Sequence, residues 1–294
     1  MKKRFNAVKA AVLAAAFILL LGISAAAGYY IYLGYTMYSS AIEAKNVSEM
    51  AADIKSRCRF IGYDELPEFY TDAVISAEDQ RFFSHNGIDV FAICRAVLHD
   101  IKAGAPEQGG STITQQLAKN EYFTQEKRLE RKVAELFMAV RIEKELSKEE
   151  IFALYVNSIY FGSGHYGIYS AAEGYFGKDV TELSDYECAM LAGLPNAPSA
   201  YSPDTSPELA AKRTKAVLEK MVNAKYITKD DEAKILNELH LKFIIIYQKG
   251  LPMRASRPAL ADFFIMNYCH IQKHIVTSYR IYPYFSQNRL PILH

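Results

Sequence analysis

Glu78-Asp79-Gln80-Arg81-Phe82-Phe83-Ser84-His85-Asn86-Gly87 is a polar stretch that core packing does not require. Before it, Glu68 to Ala77 reads as a helix that leads into Glu78. After it, Ile88 to Ile101 carries Ile88, Phe91, Ile93, Val97, Leu98 and Ile101, a broad apolar set with few charges. Lys102 to Gly110 is a loop by its glycine and proline content. The next polar stretch is Gly109-Gly110-Ser111-Thr112-Ile113-Thr114-Gln115-Gln116-Leu117-Ala118-Lys119-Asn120. Leu129, Val133, Leu136, Phe137 and Val140 keep helical spacing, so Lys127 to Leu146 reads as an amphipathic helix. It contains Arg131-Lys132-Val133-Ala134-Glu135, whose Arg131, Lys132 and Glu135 lie on its polar side.

Further along, Ser147-Lys148-Glu149-Glu150 has the capping-box form and starts a helix that Gly162, Gly164 and Gly167 end. Ser184-Asp185-Tyr186-Glu187 starts another by the same device, and Pro195 closes it. Pro207 to Asn223 reads as one more helix. Strand signals are nearly absent and no repeat appears, so the fold class is mainly α.

Glu78 and Glu135 flank a cluster of cations and amides. That pattern suits acid/base chemistry at a sugar carbon with an anionic leaving group. Gln115, Gln116, Lys119 and Asn120 fall on successive helical turns, where they can donate to a pyrophosphate or a sugar. Gly109 to Thr112 could cradle a phosphate before a helix, but no Gly-Lys-Thr follows, so it is not a Walker loop. By periodicity alone, Arg128, Arg131, Lys132 and Glu135 would be a solvated salt-bridge face, and Glu78 a surface charge.

Two more stretches change that balance: Lys148-Glu149-Glu150-Ile151-Phe152-Ala153-Leu154-Tyr155-Val156-Asn157 with Tyr160-Phe161-Gly162, and Leu191-Ala192-Gly193-Leu194-Pro195-Asn196-Ala197-Pro198-Ser199-Ala200-Tyr201-Ser202-Pro203. Together with the three above, in this order, they resemble the signature motifs of the peptidoglycan glycosyltransferases of family 51. Those are the polymerase domains of class A penicillin-binding proteins and the monofunctional transglycosylases. The resemblance covers Leu66 to Leu241 and sets the expected catalytic domain at 66–243. It implies a lysozyme-like helical glycosyltransferase domain with a small membrane-proximal lobe built from the segment after the first motif.

The resemblance also implies the reaction. A growing glycan held on undecaprenyl pyrophosphate is transferred to the 4-hydroxyl of a GlcNAc on lipid II, with inversion, to give a β-1,4 bond. Glu78 is expected to remove the hydroxyl proton. Lys119 and Arg131 are expected to neutralise the leaving pyrophosphate. Glu135 orients this cluster, the acceptor or a divalent ion, and these three roles stay open. Ser111, Gln116, Asn120 and Tyr155 are carried over as donor-site contacts. His85 is expected to be structural. No tightly bound cofactor or protein metal site is implied, with Mg2+ or Mn2+ allowed as an assistant. Expected partners are lipid II, the growing strand, the membrane and other cell-wall synthesis proteins. The rival readings are a lytic muramidase on the same scaffold, which needs no pyrophosphate clamp, and an inactive cell-wall scaffold.

The 294 residues suffice for one sizeable domain or two small ones, and half are hydrophobic. The net charge of +1 gives no whole-chain attraction for nucleic acid. Lys2, Lys3, Arg4 and Lys9 precede an uncharged run from Ala10 to Ile42. The run is long enough to cross a bilayer, and the positive start puts residues 1–9 in the cytoplasm. A single-pass anchor over 10–38 is expected in a bacterial cell membrane, with the catalytic domain outside. Tyr29, Tyr30, Tyr32 and Tyr35 would sit at the outer interface. Ser24-Ala25-Ala26-Ala27 could serve a signal peptidase, but the uncharged run continues well past it. Residues 39–65 read as a polar connector. Cys94 and Cys188 read as buried thiols, and the four scattered cysteines offer no disulfide framework or zinc spacing. The stretch 244–294 matches no pattern of the family. His270 and His274 there are spaced i, i+4, but residue 271 is Ile, so they carry no zincin motif. No serine has a lysine three residues later and Lys-Thr-Gly is absent, so no transpeptidase is expected in this chain.

Overall fold

The computed structural model describes residues 2–57, 59–104, 109–124, 126 and 128–237. The helices are α1 (Lys2–Ala44), α2 (Val47–Arg57), α3 (Glu68–Glu78), α4 (Val90–Ala103), α5 (Ile113–Tyr122), α6 (Leu129–Glu145) and α7 (Lys148–Ser158). A short hairpin of β1 (Tyr160–Gly162) and β2 (His165–Tyr166) follows. Then come α8 (Ile168–Phe176), α9 (Asp185–Gly193), α10 (Pro198–Tyr201) and α11 (Pro207–Asn223). The mainly α reading holds.

Local sequence explains four of the helix starts. Ser147 Oγ accepts from the Glu150 amide at 3.2 Å while Glu150 Oε2 accepts from the Ser147 amide at 3.4 Å. Ser184 and Glu187 repeat the exchange ahead of α9. Thr112 caps α5 by accepting from Gln115 N, and Asp89 caps α4 by accepting from Ala92 N. Each cap satisfies an amide that the first helical turn leaves free.

The core is aromatic. Tyr70, Phe82, Phe152, Tyr155, Phe161 and Tyr175 are fully buried. α7 is buried along most of its length and packs on α5, while α3 packs on α9 and α11. Residues 39–65 are not only a connector. They include the end of α1 and all of α2, whose Val47, Met50 and Ile54 are buried in the core. Their spacing of three and four residues makes one apolar helical stripe, masked in sequence by the charges between them. The hairpin is a second difference: its strands have three and two residues, too short for alternation to show.

α1 runs unbroken for 43 residues. Its segment from Val12 to Ile23 presents bare apolar side chains, and Ala11–Ala44 is long and apolar enough to cross a membrane. From Gly34 onward it lies on α6. A Cβ at Gly34 would stand 2.5 Å from Val133 Cβ, so only glycine allows this approach. Tyr35 and Tyr38 pack on Phe137 with ring centroids 5.5 and 5.8 Å apart.

α4 has the opposite character from α7. Among its residues only Ala96 is buried, while Phe91 and Ile101 are 73% and 72% exposed and Val90, Val97 and Leu98 are also exposed. Cys94 is exposed with them, against the expectation of a buried thiol, because the apolar helix that carries it lies outside the core; Cys188 is buried. The stretch 244–294, with Cys269, His270 and His274, and Cys58 lie outside the described residues.

Candidate active site

The site is built where the first motif folds back onto α5 and α6. Glu78 is the last residue of α3. Asp79 then leaves the helix, and its buried carboxylate accepts from His85 Nε2 at 2.9 Å and from the Ile113 amide at 3.1 Å. The Gly87 amide donates to His85 Nδ1 at 3.2 Å. Nδ1 is therefore an acceptor, and the ring proton sits on Nε2, directed at Asp79. Buried and fully used in this way, His85 is structural, as expected.

Gly87 fixes the loop. Its φ is +86°, and a Cβ there would come 2.9 Å from the Ala139 backbone. The loop thus lies directly on α6, one turn beyond Glu135. The Gly87 carbonyl accepts from Thr112 Oγ1 at 2.8 Å and Gln115 Nε2 at 3.3 Å. These bonds join the first motif, the start of α5 and the middle of α6. They also engage the Gln115 side chain, which is buried and so turned away from a substrate.

Glu78 is held by long-range contacts. Gln116 Nε2 donates to its Oε2 at 2.9 Å, and Arg213 Nη2 approaches Oε1 at 3.5 Å. The Glu78 side chain is 9% exposed. Tyr155 is fully buried, and its hydroxyl donates to Gln116 Oε1 at 3.2 Å. Tyr155 therefore reaches Glu78 through Gln116. Burial pushes its phenol well above the ordinary range, so it remains a donor.

Glu135 is held by its own helix. It is buried, with Oε1 on Arg131 Nη1 and Oε2 on Lys132 Nζ at 3.0 Å. Lys132 also donates to Ser111 Oγ at 2.6 Å. Lys119 on α5 is within electrostatic reach of both carboxylates. Burial lowers its pKa, Glu135 and Glu78 oppose that shift, and Arg131 and Lys132 add to it. Glu78, Gln116 and Tyr155 are thus joined by hydrogen bonds in one group, and Ser111, Arg131, Lys132 and Glu135 in another, with Lys119 coupled to both carboxylates through its charge. Asn120 joins neither group: it is exposed on α5, and its side chain has no hydrogen bond among the described residues.

Three cations were missed or passed over in the sequence. Lys132 lies within the quoted motif, but its pairing with Ser111 was not foreseen. Arg213 and Lys220 come from α11. Arg213 also donates to the Gly193 carbonyl, and Lys220 donates to the Ala77 carbonyl at 2.6 Å. Burial lowers the Lys220 pKa and Arg213 adds to the effect. Both residues are seven apart, two turns on one face, which was the available signal.

The donor set around Glu135 does not fit a divalent cation. Both of its oxygens already face cations, and no group of three or more His, Cys, Asp or Glu side chains that could hold a metal occurs among the described residues.

A family model described as Transglycosylase matches residues 44–222. Penicillin-binding protein 1A of Neisseria cinerea is 49% identical over 184 residues, 63% of this chain and 23% of that protein. Penicillin-binding protein 1A of Aquifex aeolicus (strain VF5) is 46% identical over 179 residues, 61% of this chain and 25% of the relative. The chain thus spans about a quarter of the length of these relatives. A crystal structure of Penicillin-Binding Protein 1A from Haemophilus influenzae aligns with 61% of this chain and 17% of its own, at 26% identity and a TM-score of 0.37. The family model covers more than half of the chain and spans every residue of the assembled site, so the chain belongs to the transglycosylase family.

Proposed function

We propose that this chain is a peptidoglycan glycosyltransferase that polymerises lipid II. The observation that carries the reading is the pair of carboxylates in contrasting settings, both within electrostatic reach of Lys119. Glu78 has one uncharged amide close by and one cation at 3.5 Å, so it keeps lone pairs for a proton. Arg131, Lys132 and Lys119 gather at Glu135, where a leaving diphosphate can be neutralised.

In this mechanism Glu78 takes the proton of the acceptor 4-hydroxyl. The oxygen forms a bond to the anomeric carbon of the donor strand as the bond to the diphosphate oxygen breaks. Attack from the far side inverts the centre. The electron pair leaves on undecaprenyl diphosphate, facing Lys119 and Arg131. Glu135 orients Arg131 and Lys132; of its three open roles this one suits a carboxylate whose oxygens are both occupied. Arg213 and Lys220 fix the end of α3 and the carboxylate it bears. A divalent ion then acts, where it acts at all, on the substrate diphosphate.

α1 anchors the protein, with residues 1–9 on the cytoplasmic side and the catalytic domain outside. Residues 11–33 would span about 35 Å as a helix, enough for the hydrocarbon core. The bare apolar face of α4 rests in the membrane surface beside it. This supports a membrane-proximal lobe over a domain lying free in solution.

Incubating the full-length protein in detergent with labelled lipid II tests the activity. Polymer that disappears in Glu78→Gln supports it. Release of soluble fragments from purified sacculi, without use of lipid II, would establish the muramidase instead. Liposome flotation of a chain starting at Glu43 tests the α4 surface: flotation that Phe91→Asp with Val97→Asp abolishes, without loss of thermal stability, supports it.

A further inference from the structure

Glu143 lies eight residues beyond Glu135 on α6, about 12 Å along the helix axis and on the same face. Ala139 stands between them, and the first-motif loop rests on this face. A Cβ at Gly87 would come 2.9 Å from the Ala139 backbone and 3.2 Å from Glu143 Cγ. The Glu143 side chain is 5% exposed. Its Oε1 accepts from Thr114 Oγ1 at 2.6 Å and from Lys148 Nζ at 2.7 Å. Lys148 opens α7, and its Nζ also stands 4.4 Å from the centre of the Phe82 ring. Thr114 and Phe82 are both fully buried.

These contacts bracket the hydrogen bond that holds Glu78. Gln116 Nε2 donates to Glu78 Oε2 at 2.9 Å. Thr114 lies two residues before Gln116, and Phe82 lies four residues after Glu78. One partner of that bond is thus carried by a segment that Glu143 holds, and the other by a segment that Lys148 holds. With side chains 5% and 17% exposed, the pair offers little surface to a substrate. A buried ion pair is also a weak source of net stability, because taking both charges out of water offsets most of their attraction. What it supplies is direction. A cation shared by one carboxylate oxygen and one ring face has a defined position, whereas apolar contact is non-directional.

We infer that Glu143 and Lys148 are positioning residues: their ion pair sets the spacing of the first-motif loop and α5 on α6, and so holds Gln116 against Glu78. The inference rests on the proposed function and adds the part of the domain that aims its base. Loss of the pair should therefore slow the reaction without a matching loss of stability.

The test removes the pair as a unit. Glu143→Gln with Lys148→Met leaves no unpaired charge; the introduced amide can still accept from Thr114, and the introduced thioether can still lie on the Phe82 ring. The melting temperature should stay near that of wild type. The kcat with labelled lipid II should fall about tenfold at unchanged KM, less than the roughly 10²-fold that a misplacement of about 1 Å can cost. Lys148→Arg keeps a cation for both partners and should retain most of the wild-type rate. In a Gln116→Ala background the double substitution should cost nothing further, because the amide it aims is gone. Hydrogen exchange of the full-length protein in detergent gives a readout that needs no turnover. Amides of 79–87 and 113–116 should exchange faster in the double variant, and those of α8 and α9 as in wild type.

Glu143→Asp, which keeps the charge on an arm shorter by one methylene, replaces the double variant if thermal melts show that it fails to fold. A folded variant with wild-type rate would overturn the inference. So would the full loss of rate in the Gln116→Ala background, or unchanged exchange at 79–87 and 113–116. Failure of the wild type to polymerise lipid II would instead sink the proposed function, and the exchange measurement then decides on the pair alone.

Discussion

Glu78 and Glu135 are both shielded carboxylates in one cleft, but they are held in different ways. Glu135 takes its partners from its own helix, at positions i−4 and i−3. Any chain that forms α6 forms this cluster. Glu78 takes its partners from α5 and α11, 38 and 135 residues away. Its environment exists only when the whole domain has folded. The difference separates their chemistry. A carboxylate with both oxygens on cations from the adjacent turn is suited to serve as an electrostatic fixture. A carboxylate steadied by an amide, with a cation at the limit of contact, can take a proton and release it.

The strongest way to break this comparison is to remove the base. Glu78→Gln keeps the shape and the Gln116 contact but has no lone pair of comparable basicity. Polymerisation should fall by about 10² to 10⁴-fold. Since Arg213 lies at 3.5 Å and the site is near the surface, the melting temperature should change little. Initial rates with labelled lipid II and a thermal melt check both. A variant with more than about a tenth of wild-type rate would remove Glu78 from the role of base.

Glu135→Gln should have a smaller effect on rate and a larger one on structure. The substitution leaves Arg131 and Lys132 without their counter-charge in a cluster where Glu135 is 2% exposed. Arg131 is then free to move, and misplacement of a charge by about 1 Å can cost up to about 10²-fold in rate. A fall of about 10 to 10²-fold is expected, with a lower melting temperature, whereas Glu78→Gln should melt as wild type. If the two variants showed the same stability and the same rate loss, the contrast between fixture and base would fail.

A third test uses pH. Burial lowers the pKa of Lys119 below its ordinary 10.5, so its charge is lost at lower pH than that of an exposed lysine. If its charge neutralises the leaving group, kcat/KM for lipid II must fall on an alkaline limb below 10.5. Lys119→Arg keeps a cation that does not titrate in this range, so the limb should move to higher pH even though the rate itself drops. Lys220 is a second half-buried lysine near Glu78, and its pKa is also lowered. Lys220→Arg should leave the limb in place. A limb that moves with Lys220 and not with Lys119 would transfer the titrating role.

The same distinction between local and distant contacts decides what the sequence disclosed. The capping boxes at Ser147 and Ser184 and the apolar spacing of α6 are local, and the helices they imply are present. The α6 charge cluster is local too, and the order of motifs made it legible. Arg213 and Lys220 share one face of α11, but their spacing alone does not say that this face closes on α3. The burial of α2 was hidden for the same reason: charges surround Val47, Met50 and Ile54 in sequence, and only tertiary packing selects the apolar face. Cys94 shows the converse error. It was read as a buried thiol, although it lies on α4, where Ala96 is the one buried residue. Tyr155 was expected as a donor-site contact; in the fold it is buried and its hydroxyl donates to Gln116.

That support gives the smallest and most discriminating test. Tyr155→Phe removes only the hydroxyl that donates to Gln116 Oε1, in a site where ring packing is retained. A neutral hydrogen bond contributes about 0.5–1.5 kcal/mol, so Gln116 should hold Glu78 less firmly and the rate should fall roughly three- to tenfold. The loss belongs to Glu78 alone. In the Glu78→Gln background the same substitution should cost almost nothing further, because the carboxylate it helps to aim is gone. In the Glu135→Gln background it should cost its full amount, because the two carboxylates have separate supports. A double-mutant cycle on initial rates reads both couplings. Strong coupling of Tyr155 to Glu135 rather than to Glu78 would mean that the two sides of the cleft form one network, and the division drawn between them would not stand.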